Sequence, residues 1–322
     1  MKDNLMVHLN EAGANWRNIA VIGTGLMGTS LALAAKKAFP QVRIWGADSN
    51  LEALAQARCM GAVDLAVPLQ ETVHADLLCL AMPMRYLPEV LLQLGPALNQ
   101  GLLWMDVGSS KQNVLAQVKA VLGALPAHFV PCHPMAGGEE AGAKAARGDL
   151  FIGKKLLLVP HEAMASRARA ALTAFWQALG AQVVEMTAQE HDEILAFTSH
   201  LPHLLAFALA STLDDHALEK GSQRLQAGMG PGFFSFMRLA KSDPSLWADI
   251  CMANREALLV AMKRYQSELC RLQAALEEAP GGQRLLELLL QAKHRLSQAA
   301  PPGFQQSAPP TGEATLPEGH FP

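Results

Sequence analysis

One short stretch near the start of the chain limits its fold more than any other part of the sequence. An apolar run, Ile19–Ile22, leads into Gly23-Thr24-Gly25-Leu26-Met27-Gly28, and an alanine- and leucine-rich segment follows. A buried strand, a glycine-rich turn and a helix start are the context in which G-x-G-x-x-G indicates dinucleotide binding. The sequence therefore predicts a strand–turn–helix unit that holds a pyrophosphate at the helix N-terminus. The alternative is a purely structural turn between strand and helix.

Each glycine of this turn has a predicted task. Gly23 makes the tight turn, Gly25 lets the backbone approach the pyrophosphate, and Gly28 lets the helix pack closely on the strand. A second apolar strand, Val42–Ala47, ends at Asp48. A carboxylate there accepts hydrogen bonds from the adenosine ribose and repels a 2′-phosphate, so NAD is favoured and NADP is the less favoured cofactor. The expected cofactor-binding residues are Gly23, Gly25, Leu26, Met27, Gly28 and Asp48.

The composition excludes several classes of protein. The chain has 322 residues, of which 50% are hydrophobic and 17% charged, with a formal net charge of −3. Lys and Arg are dispersed, so a nucleic-acid surface is not expected. No uninterrupted apolar run approaches the roughly 18–20 residues of a membrane span, and no secretory signal is recognisable. Five cysteines without C-x-x-C spacing indicate reduced thiols, and we expect a cytoplasmic protein.

The secondary-structure pattern changes once along the chain. Apolar strands alternate with helices up to residue 187, which predicts a doubly wound α/β, Rossmann-type domain over 16–187. Only helical periodicity follows, which predicts an all-helical substrate and dimerisation domain over 188–298. We expect a flexible leader over 1–15 and a disordered tail over 299–322. Helices of the second half are predicted at Glu190–Ser199, Leu204–Leu218, Phe233–Ala240, Leu246–Glu278 and Gly282–Gln298.

Two loops after predicted strands carry candidate polar residues in the first domain. His133 follows the carboxyl end of a strand, where open α/β sheets bind ligands. The alternative for His133 is a surface or structural histidine. Ser109 follows another strand, and the alternative for Ser109 or Ser110 is a helix N-cap. Lys111 then lies in the first helical turn, which is unfavourable to the helix dipole and indicates a nearby anion.

The helical half offers two further groups. Ser199-His200-Leu201-Pro202-His203 places two imidazoles and a hydroxyl in an apolar stretch, which predicts a polar cluster at a helix start facing a pocket. No acidic or cysteine partner has suitable spacing, so no metal site is expected. Arg238 precedes a helix that Ser242 or Asp243 caps. It is either a surface arginine or, through its fork geometry, a partner for a substrate carboxylate.

Taken together, these motifs resemble one enzyme family. The glycine turn, Gly108–Lys111, His133–Gly137, Ser199–His203 and Arg238–Pro244 occur in the order and spacing of the prephenate/arogenate (cyclohexadienyl) dehydrogenases of tyrosine biosynthesis. The resemblance covers residues 16 to 298. It implies a Rossmann-type domain, a helical domain that forms a homodimer, and NAD(P)-dependent oxidative decarboxylation. The substrate would be prephenate, giving 4-hydroxyphenylpyruvate, or arogenate, giving tyrosine; the sequence does not decide between them.

The resemblance also implies roles for individual residues. His133 matches the catalytic histidine that hydrogen-bonds the ring 4-hydroxyl, and Ser109 matches a serine that orients this histidine and the substrate. Arg238 matches the arginine that binds a substrate carboxylate. The remaining matches, to residues of the substrate pocket, are Ser199, His203 and Glu139. A neutral imidazole suits the reaction, because a pKa near 6.5 lets it accept the hydroxyl proton near neutral pH.

Two other functions are alternatives to this one. A β-hydroxyacid dehydrogenase often has a similar Gly-Leu-Met-Gly turn and a helical second domain, but it relies on a lysine where this chain has Ser199–His203. A non-catalytic, NAD-sensing dimer would not require the polar residues that are predicted to face the pocket. We also expect any inhibition by tyrosine or 4-hydroxyphenylpyruvate to act at the active site, because the tail after Gln298 is short for a regulatory domain.

Overall fold

The computed structural model describes residues 16–99, 101–138, 140, 142–213, 226–278 and 282–299. Its contacts divide the chain into two compact units, Met1–Met262 and Lys263–Pro322. The predicted leader, and the tail from residue 300 onward, lie outside the described residues. The predicted division after residue 187 remains a prediction, although the last described strand ends at Glu185 and the following elements are helical.

The first unit is built on one eight-stranded sheet in the order β3-β2-β1-β4-β5-β6-β7-β8. The strands are β1 Asn18–Ile22, β2 Arg43–Ala47, β3 Leu65–Ala66, β4 Leu77–Leu80, β5 Leu103–Asp106, β6 Phe129–Pro134, β7 Lys155–Leu158 and β8 Gln182–Glu185. Neighbouring strands are parallel except β6 and β7, which are antiparallel. The strand order reverses between β1 and β4, and open α/β sheets bind ligands beyond the strand ends at such a point.

Helices cover both faces of this sheet. They are α1 Leu26–Ala38, α2 Leu51–Cys59, α3 Leu87–Leu98, α4 Gln112–Leu122 and α5 Ser166–Ala178. Because side chains alternate along a strand, Ile19 and Val21 of β1 join one core cluster with α1 and α5, whereas Ala20 and Ile22 join the other with α3 and α4. The predicted doubly wound α/β class followed by a helical part is therefore confirmed.

The second half of the chain is helical in the described residues. Its helices are α6 Ala188–Leu195, α7 Leu201–Ser211, α8 Pro231–Met237, α9 Pro244–Ala253, α10 Arg255–Glu277 and α11 Gln283–Ala299. A capping box between Thr187 and Glu190 starts α6, and Asp243 caps α9 by accepting the N–H groups of Ser245 and Leu246. The prediction of a cap at Ser242 or Asp243 is thus confirmed for Asp243.

Two predicted helix boundaries in this half are wrong. Helix α6 does not end before the Ser199–His203 segment but continues through a π-helical turn, Ala196–His200, into α7. The widened turn precedes Pro202, which has no N–H to donate to it. The helix predicted over Leu246–Glu278 is broken at Asn254, whose backbone leaves the helical region between α9 and α10. Residues 214–218 of the predicted second helix lie outside the described residues.

One helical run of the first unit has membrane-like composition. By length and apolar content alone, Ala188–Ser211 could cross a membrane. It contains no uninterrupted apolar run of this length, because Glu190, Asp192 and the histidines interrupt the apolar residues. A core helix of a soluble protein has the same properties, so the observation is weak evidence for a membrane span.

The second unit consists of the end of α10 and all of α11. Its described leucines are largely exposed: Leu269, Leu276, Leu286, Leu289, Leu290 and Leu296. Three of them on α11, Leu286, Leu289 and Leu290, recur at helical spacing and share one side of the helix. A single chain therefore leaves an apolar helix face in this unit exposed to solvent.

Candidate active site

The glycine turn closely follows the end of β1, beside the end of β4. Gly23 has a φ of +93°, and a Cβ atom there would lie 2.7 Å from the Ala81 carbonyl oxygen. A Cβ on Gly28 would lie 1.9 Å from the Gly23 carbonyl oxygen, so α1 approaches β1 as closely as predicted. A Cβ on Gly25 would meet no atom within 4 Å. Two of the glycines are needed by the fold, whereas Gly25 faces open space.

The first turn of α1 is suited to hold an anion. Gly25 is the N-cap and provides no side-chain hydrogen bond, and no acidic residue lies in the first turn. Leu26 and Met27 are half-buried at this helix start. The free N–H groups and the positive end of the helix dipole favour phosphate oxygens. The turn therefore fits a dinucleotide pyrophosphate.

Asp48 lies just beyond the end of β2 and holds the same turn in place. Its Oδ2 accepts the Thr24 N–H at 2.6 Å and the Thr24 hydroxyl at 2.9 Å, while its Oδ1 accepts the Asn50 N–H at 2.8 Å. A carboxylate offers about four acceptor positions, so one stays available for a ribose hydroxyl. The contact with Thr24, which was not predicted, makes Asp48 a support of the turn as well.

His133 lies on β6 and is buried, with 9% of its surface exposed. Its Nδ1 shares a hydrogen bond of 2.9 Å with Nε2 of His191, which is fully buried on α6. Burial lowers the pKa of His133 well below its usual value, and the neighbouring His191, Lys111 and His200 lower it further. His133 is therefore a neutral imidazole at neutral pH, the form that accepts a proton.

Asp192 connects this pair of histidines to α4. Its Oδ1 is 2.7 Å from Nδ1 of His191 and accepts the Lys111 N–H at 2.8 Å, and its Oδ2 accepts the Gln112 N–H at 2.9 Å. The N-terminus of α4 is thus capped by a carboxylate from a distant helix. The alternative interpretation of Ser109 or Ser110 as the N-cap is wrong, because Lys111 occupies the N-cap position and no side chain of this loop caps the helix.

Lys111 forms a fully buried ion pair with Asp106, at the end of β5. Oδ2 of Asp106 also accepts the Gly108 N–H at 2.8 Å. The anion that the position of Lys111 indicated is therefore Asp106, with Asp192 also nearby. A buried pair of this kind costs much desolvation, so it is better evidence for a defined local geometry than for stability.

The π-helical turn brings the second cluster together. Asn254 donates through Nδ2 to the Asp192 carbonyl at 2.7 Å and approaches Nδ1 of His200 at 3.0 Å. Burial lowers the pKa of His200 to about 4, so it too is neutral. Its Nε2 is buried without a hydrogen-bond partner among the described residues. The break at Asn254 thus serves to reach Asp192 and His200.

His203 lies on the next turn of the same helical run, in α7, and Arg238 begins the short 3₁₀ turn Arg238–Lys241 that follows α8. Nδ1 of His203 is 2.9 Å from the Ser199 carbonyl, and its ring stacks on Trp247 at 3.5 Å between centroids. Burial lowers the pKa of His203, and the charge of the exposed Arg238 contributes to the lowering although the Ser199 carbonyl opposes it. Arg238 is therefore close enough to act on His203 electrostatically.

The structure connects most of the predicted site residues. Electrostatic interactions couple His133 to His200, His200 to His203, and His203 to Arg238. Ser109 is half-buried in the loop after β5, the strand next to that of His133, without a hydrogen bond that joins the two. Glu139 lies outside the described residues. Among the described residues, no group of three or more His, Cys, Asp or Glu side chains is arranged to hold a metal ion.

Sequence reasoning missed His191, Asp192, Asn254 and Trp247. His191 and Asp192 follow the capping box Thr187–Glu190 directly, and this position in a first helical turn is an ordinary place for acidic residues. Asn254 lies in a stretch whose periodicity predicts one continuous helix, Leu246–Glu278. Only the hydrogen bonds between distant segments reveal that these residues belong to the site.

The chain is similar to known proteins in sequence and in fold. The family model "Prephenate dehydrogenase, nucleotide-binding domain" matches residues 31–185, and "Prephenate dehydrogenase, dimerization domain" matches residues 187–291. Cyclohexadienyl dehydrogenase of Zymomonas mobilis is 32% identical over 285 residues, which cover 88% of this chain and 96% of the relative. The chain belongs to the prephenate dehydrogenase family.

Further relatives agree with this membership. Prephenate dehydrogenase of Lactococcus lactis is 32% identical, with 79% of this chain and 69% of the relative covered. The crystal structure of prephenate dehydrogenase from Aquifex aeolicus, in complex with hydroxyphenyl propionate and NAD⁺, is 29% identical with a TM-score of 0.78, and covers 88% of this chain and 98% of that one.

The family settles several predictions. The chain is an oxidoreductase with a nucleotide-binding and a dimerization domain, and its activity class is NAD-dependent oxidative decarboxylation in tyrosine biosynthesis. The resemblance drawn from the sequence motifs is confirmed. The alternatives of a β-hydroxyacid dehydrogenase and of a non-catalytic NAD sensor are not supported.

Proposed function

We propose that the enzyme converts prephenate to 4-hydroxyphenylpyruvate, arogenate to tyrosine, or both, with His133 as the base. The observation that carries this proposal is the environment of His133. It is a neutral, buried imidazole on β6, in a sheet whose glycine turn fits a dinucleotide, and it is coupled electrostatically to the His200–His203–Arg238 cluster.

His133 accepts the proton of the ring 4-hydroxyl in this reaction. The carbon that bears the hydroxyl also loses a hydride, which bound NAD accepts. The bond from the ring to its carboxylate breaks, carbon dioxide leaves, and the bonding pair enters the ring, which becomes aromatic. The oxygen recovers a proton and becomes the phenol, so the histidine ends the cycle neutral. A group with a lowered pKa returns this proton readily.

Arg238 binds a carboxylate of the substrate. Its position near His203 supports this role, because a guanidinium forms two parallel hydrogen bonds with a carboxylate. Ser199 and His203, on the same helical run, line the pocket around it. Ser109 contributes its hydroxyl from the loop after β5, and Glu139 is retained as a substrate-binding candidate on sequence grounds alone.

NAD binds at the end of the sheet where β1 and β2 terminate. The pyrophosphate is held at the start of α1 by Gly23, Gly25, Leu26, Met27 and Gly28. Asp48 accepts a hydrogen bond from a hydroxyl of the adenosine ribose. Support comes from the open space at Gly25 and from the acceptor position left on Asp48. The carboxylate repels the 2′-phosphate of NADP, which makes NADP the poorer cofactor.

The enzyme works as a cytoplasmic homodimer formed through the helical domain. The exposed leucines of α11 supply an apolar face that a second subunit would bury. All five cysteines are free thiols, as expected in a reducing compartment. Ala188–Ser211 is then a core helix and not a membrane span, because Asp192 binds the N-terminus of α4 within the sheet domain. No nucleic acid is involved.

Initial rates with four substrate pairs test this proposal. Prephenate and arogenate are each combined with NAD and with NADP, and the absorbance of reduced nicotinamide is followed. We expect saturable turnover with at least one of the two substrates, and higher kcat/KM with NAD than with NADP. The absence of turnover in all four mixtures, with a folded dimer that binds NAD, would refute it.

A further inference from the structure

His133 is the first of three buried side chains that hydrogen bonds connect in series. Nδ1 of His133 is 2.9 Å from Nε2 of His191, and Nδ1 of His191 is 2.7 Å from Oδ1 of Asp192. His191 and Asp192 are 0% and 1% exposed, whereas His133 keeps 9% of its surface accessible. Of these three side chains, only His133 is therefore accessible to a substrate.

Asp192, the last of the three residues, determines which ring nitrogens of the two histidines carry a proton. Burial alone would raise the pKa of Asp192, but hydrogen bonds from His191 and from the N–H groups of Lys111 and Gln112 outweigh it and the pKa is lowered. These N–H groups belong to the N-terminus of α4, which favours a negative charge. Asp192 is therefore ionised, and an ionised carboxylate only accepts hydrogen bonds.

The tautomers of both histidines follow from this. Because Asp192 only accepts, Nδ1 of His191 carries the proton that it donates. Burial lowers the pKa of His191, so its ring is neutral and its Nε2 is an acceptor. Nδ1 of His133 is then the donor in the bond of 2.9 Å, and the lone pair of His133 resides on Nε2.

We propose that His191 and Asp192 are positioning residues that hold His133 in the tautomer whose Nε2 accepts the substrate proton. This inference rests on the proposed function of His133 as the base. When Nε2 takes the proton, the positive charge of His133 forms next to an acceptor that Asp192 polarises, as in other catalytic dyads and triads. Neither positioning residue touches the substrate or takes up the proton.

Two histidine variants separate positioning from simple structural support. His191→Phe keeps the ring volume but removes both nitrogens, so kcat is expected to fall by about 10²–10⁴, the usual contribution of a general base. KM and the Kd of NAD should change by less than about threefold. His191→Gln places an amide near Nε2 and can accept the His133 N–H, so it should recover about tenfold or more of the lost kcat.

His161→Phe is the matched control. His161 is a partly buried histidine of the same domain that contacts the Phe129 carbonyl and none of the three residues of the chain. Its replacement should leave kcat unchanged while imposing a similar loss of polar atoms. A kcat of His191→Phe within about threefold of the wild type would overturn the proposal.

The tautomer itself can be measured without any substrate. In protein labelled with ¹⁵N at histidine, the ring nitrogen shifts of His133 should show Nδ1 protonated and Nε2 unprotonated, with signals assigned from His133→Asn and His191→Phe. A proton on Nε2 of His133 would overturn the inference even if the enzyme turns over prephenate. Conversely, the expected tautomer in a protein inactive with every substrate pair would refute the proposed function and leave the positioning geometry intact. The wild-type spectrum decides the question if His191→Phe does not fold.

Discussion

Replacing Gly25 by alanine should weaken NAD binding while leaving the protein folded. The added Cβ meets no atom within 4 Å, and the backbone angles of −73° and −160° suit an alanine. Alanine is a poorer N-cap than glycine, which costs about 0.5–1 kcal/mol. For a domain of this size, that corresponds to a decrease in Tm of about 1–4 °C.

The same methyl group lies where a pyrophosphate must approach the start of α1. If one charge-assisted hydrogen bond from this turn to phosphate is lost, the cost is about 1.5–3 kcal/mol. The Kd of NAD should then rise by about 10- to 150-fold. Isothermal titration with NAD gives the Kd, and thermal unfolding without NAD gives the stability.

Gly230→Ala provides a matched control. Gly230 is also an extended N-cap glycine, at the start of α8, and a Cβ there meets no atom within 4 Å. We expect the same small loss of Tm and an unchanged Kd. Gly28→Ala should instead lose the fold around the turn, because its Cβ would lie 1.9 Å from the Gly23 carbonyl oxygen. An NAD affinity of Gly25→Ala within about twofold of the wild type would refute the assignment of this turn to the pyrophosphate.

Three further predictions concern the substrate, the buried ion pair and pH. Arg238→Ala should raise KM by about 5- to 30-fold with a smaller change in kcat. This is at or below the lower end of the roughly 2–5 kcal/mol for breaking a buried charge pair, because Arg238 is exposed. An unchanged KM in initial-rate assays would remove Arg238 from the site. Lys111→Met should lower the free energy of unfolding in urea by about 3–5 kcal/mol, because it leaves Asp106 buried and unpaired. A second change, Asp106→Asn, should restore much of this loss. Equal stability of the single and the double variant would contradict this. The pKa of His200 is lowered to about 4 in the folded protein, so the unfolded chain binds more protons below about pH 6.5. The urea midpoint should therefore fall as the pH is lowered from 6.5 toward 4. If the midpoint of His200→Gln depends on pH as steeply or more steeply, His200 is not the origin of this dependence.

Local signals explain why the nucleotide-binding half was predictable. The glycine turn, Asp48 and the apolar strands each depend on residues close together in sequence. The parallel strands pair as expected from a doubly wound sheet. The two-residue β3 has no apolar pattern by which it could be predicted. The position of Lys111 indicated a nearby anion because its charge opposes the helix dipole.

The hydrogen bonds that connect His133 to His191 and Asp192 were not predictable in the same way. His133 and His191 are 58 residues apart, and Asp192 binds α4 across 80 and 81 positions. Such contacts depend on how α6 packs, which no local pattern encodes. The break at Asn254 was missed for a related reason: its side chain gains hydrogen bonds to Asp192 and His200 that compensate for leaving the helix.

The most direct test of the account is the turnover of His133→Asn with prephenate and NAD. Asparagine fits the site but does not accept a proton near neutral pH. We expect the Kd of NAD to stay within about threefold of the wild type and kcat to fall by roughly 10²–10⁴. A kcat close to that of the wild type, in a variant that binds NAD normally, would show that His133 is not the base.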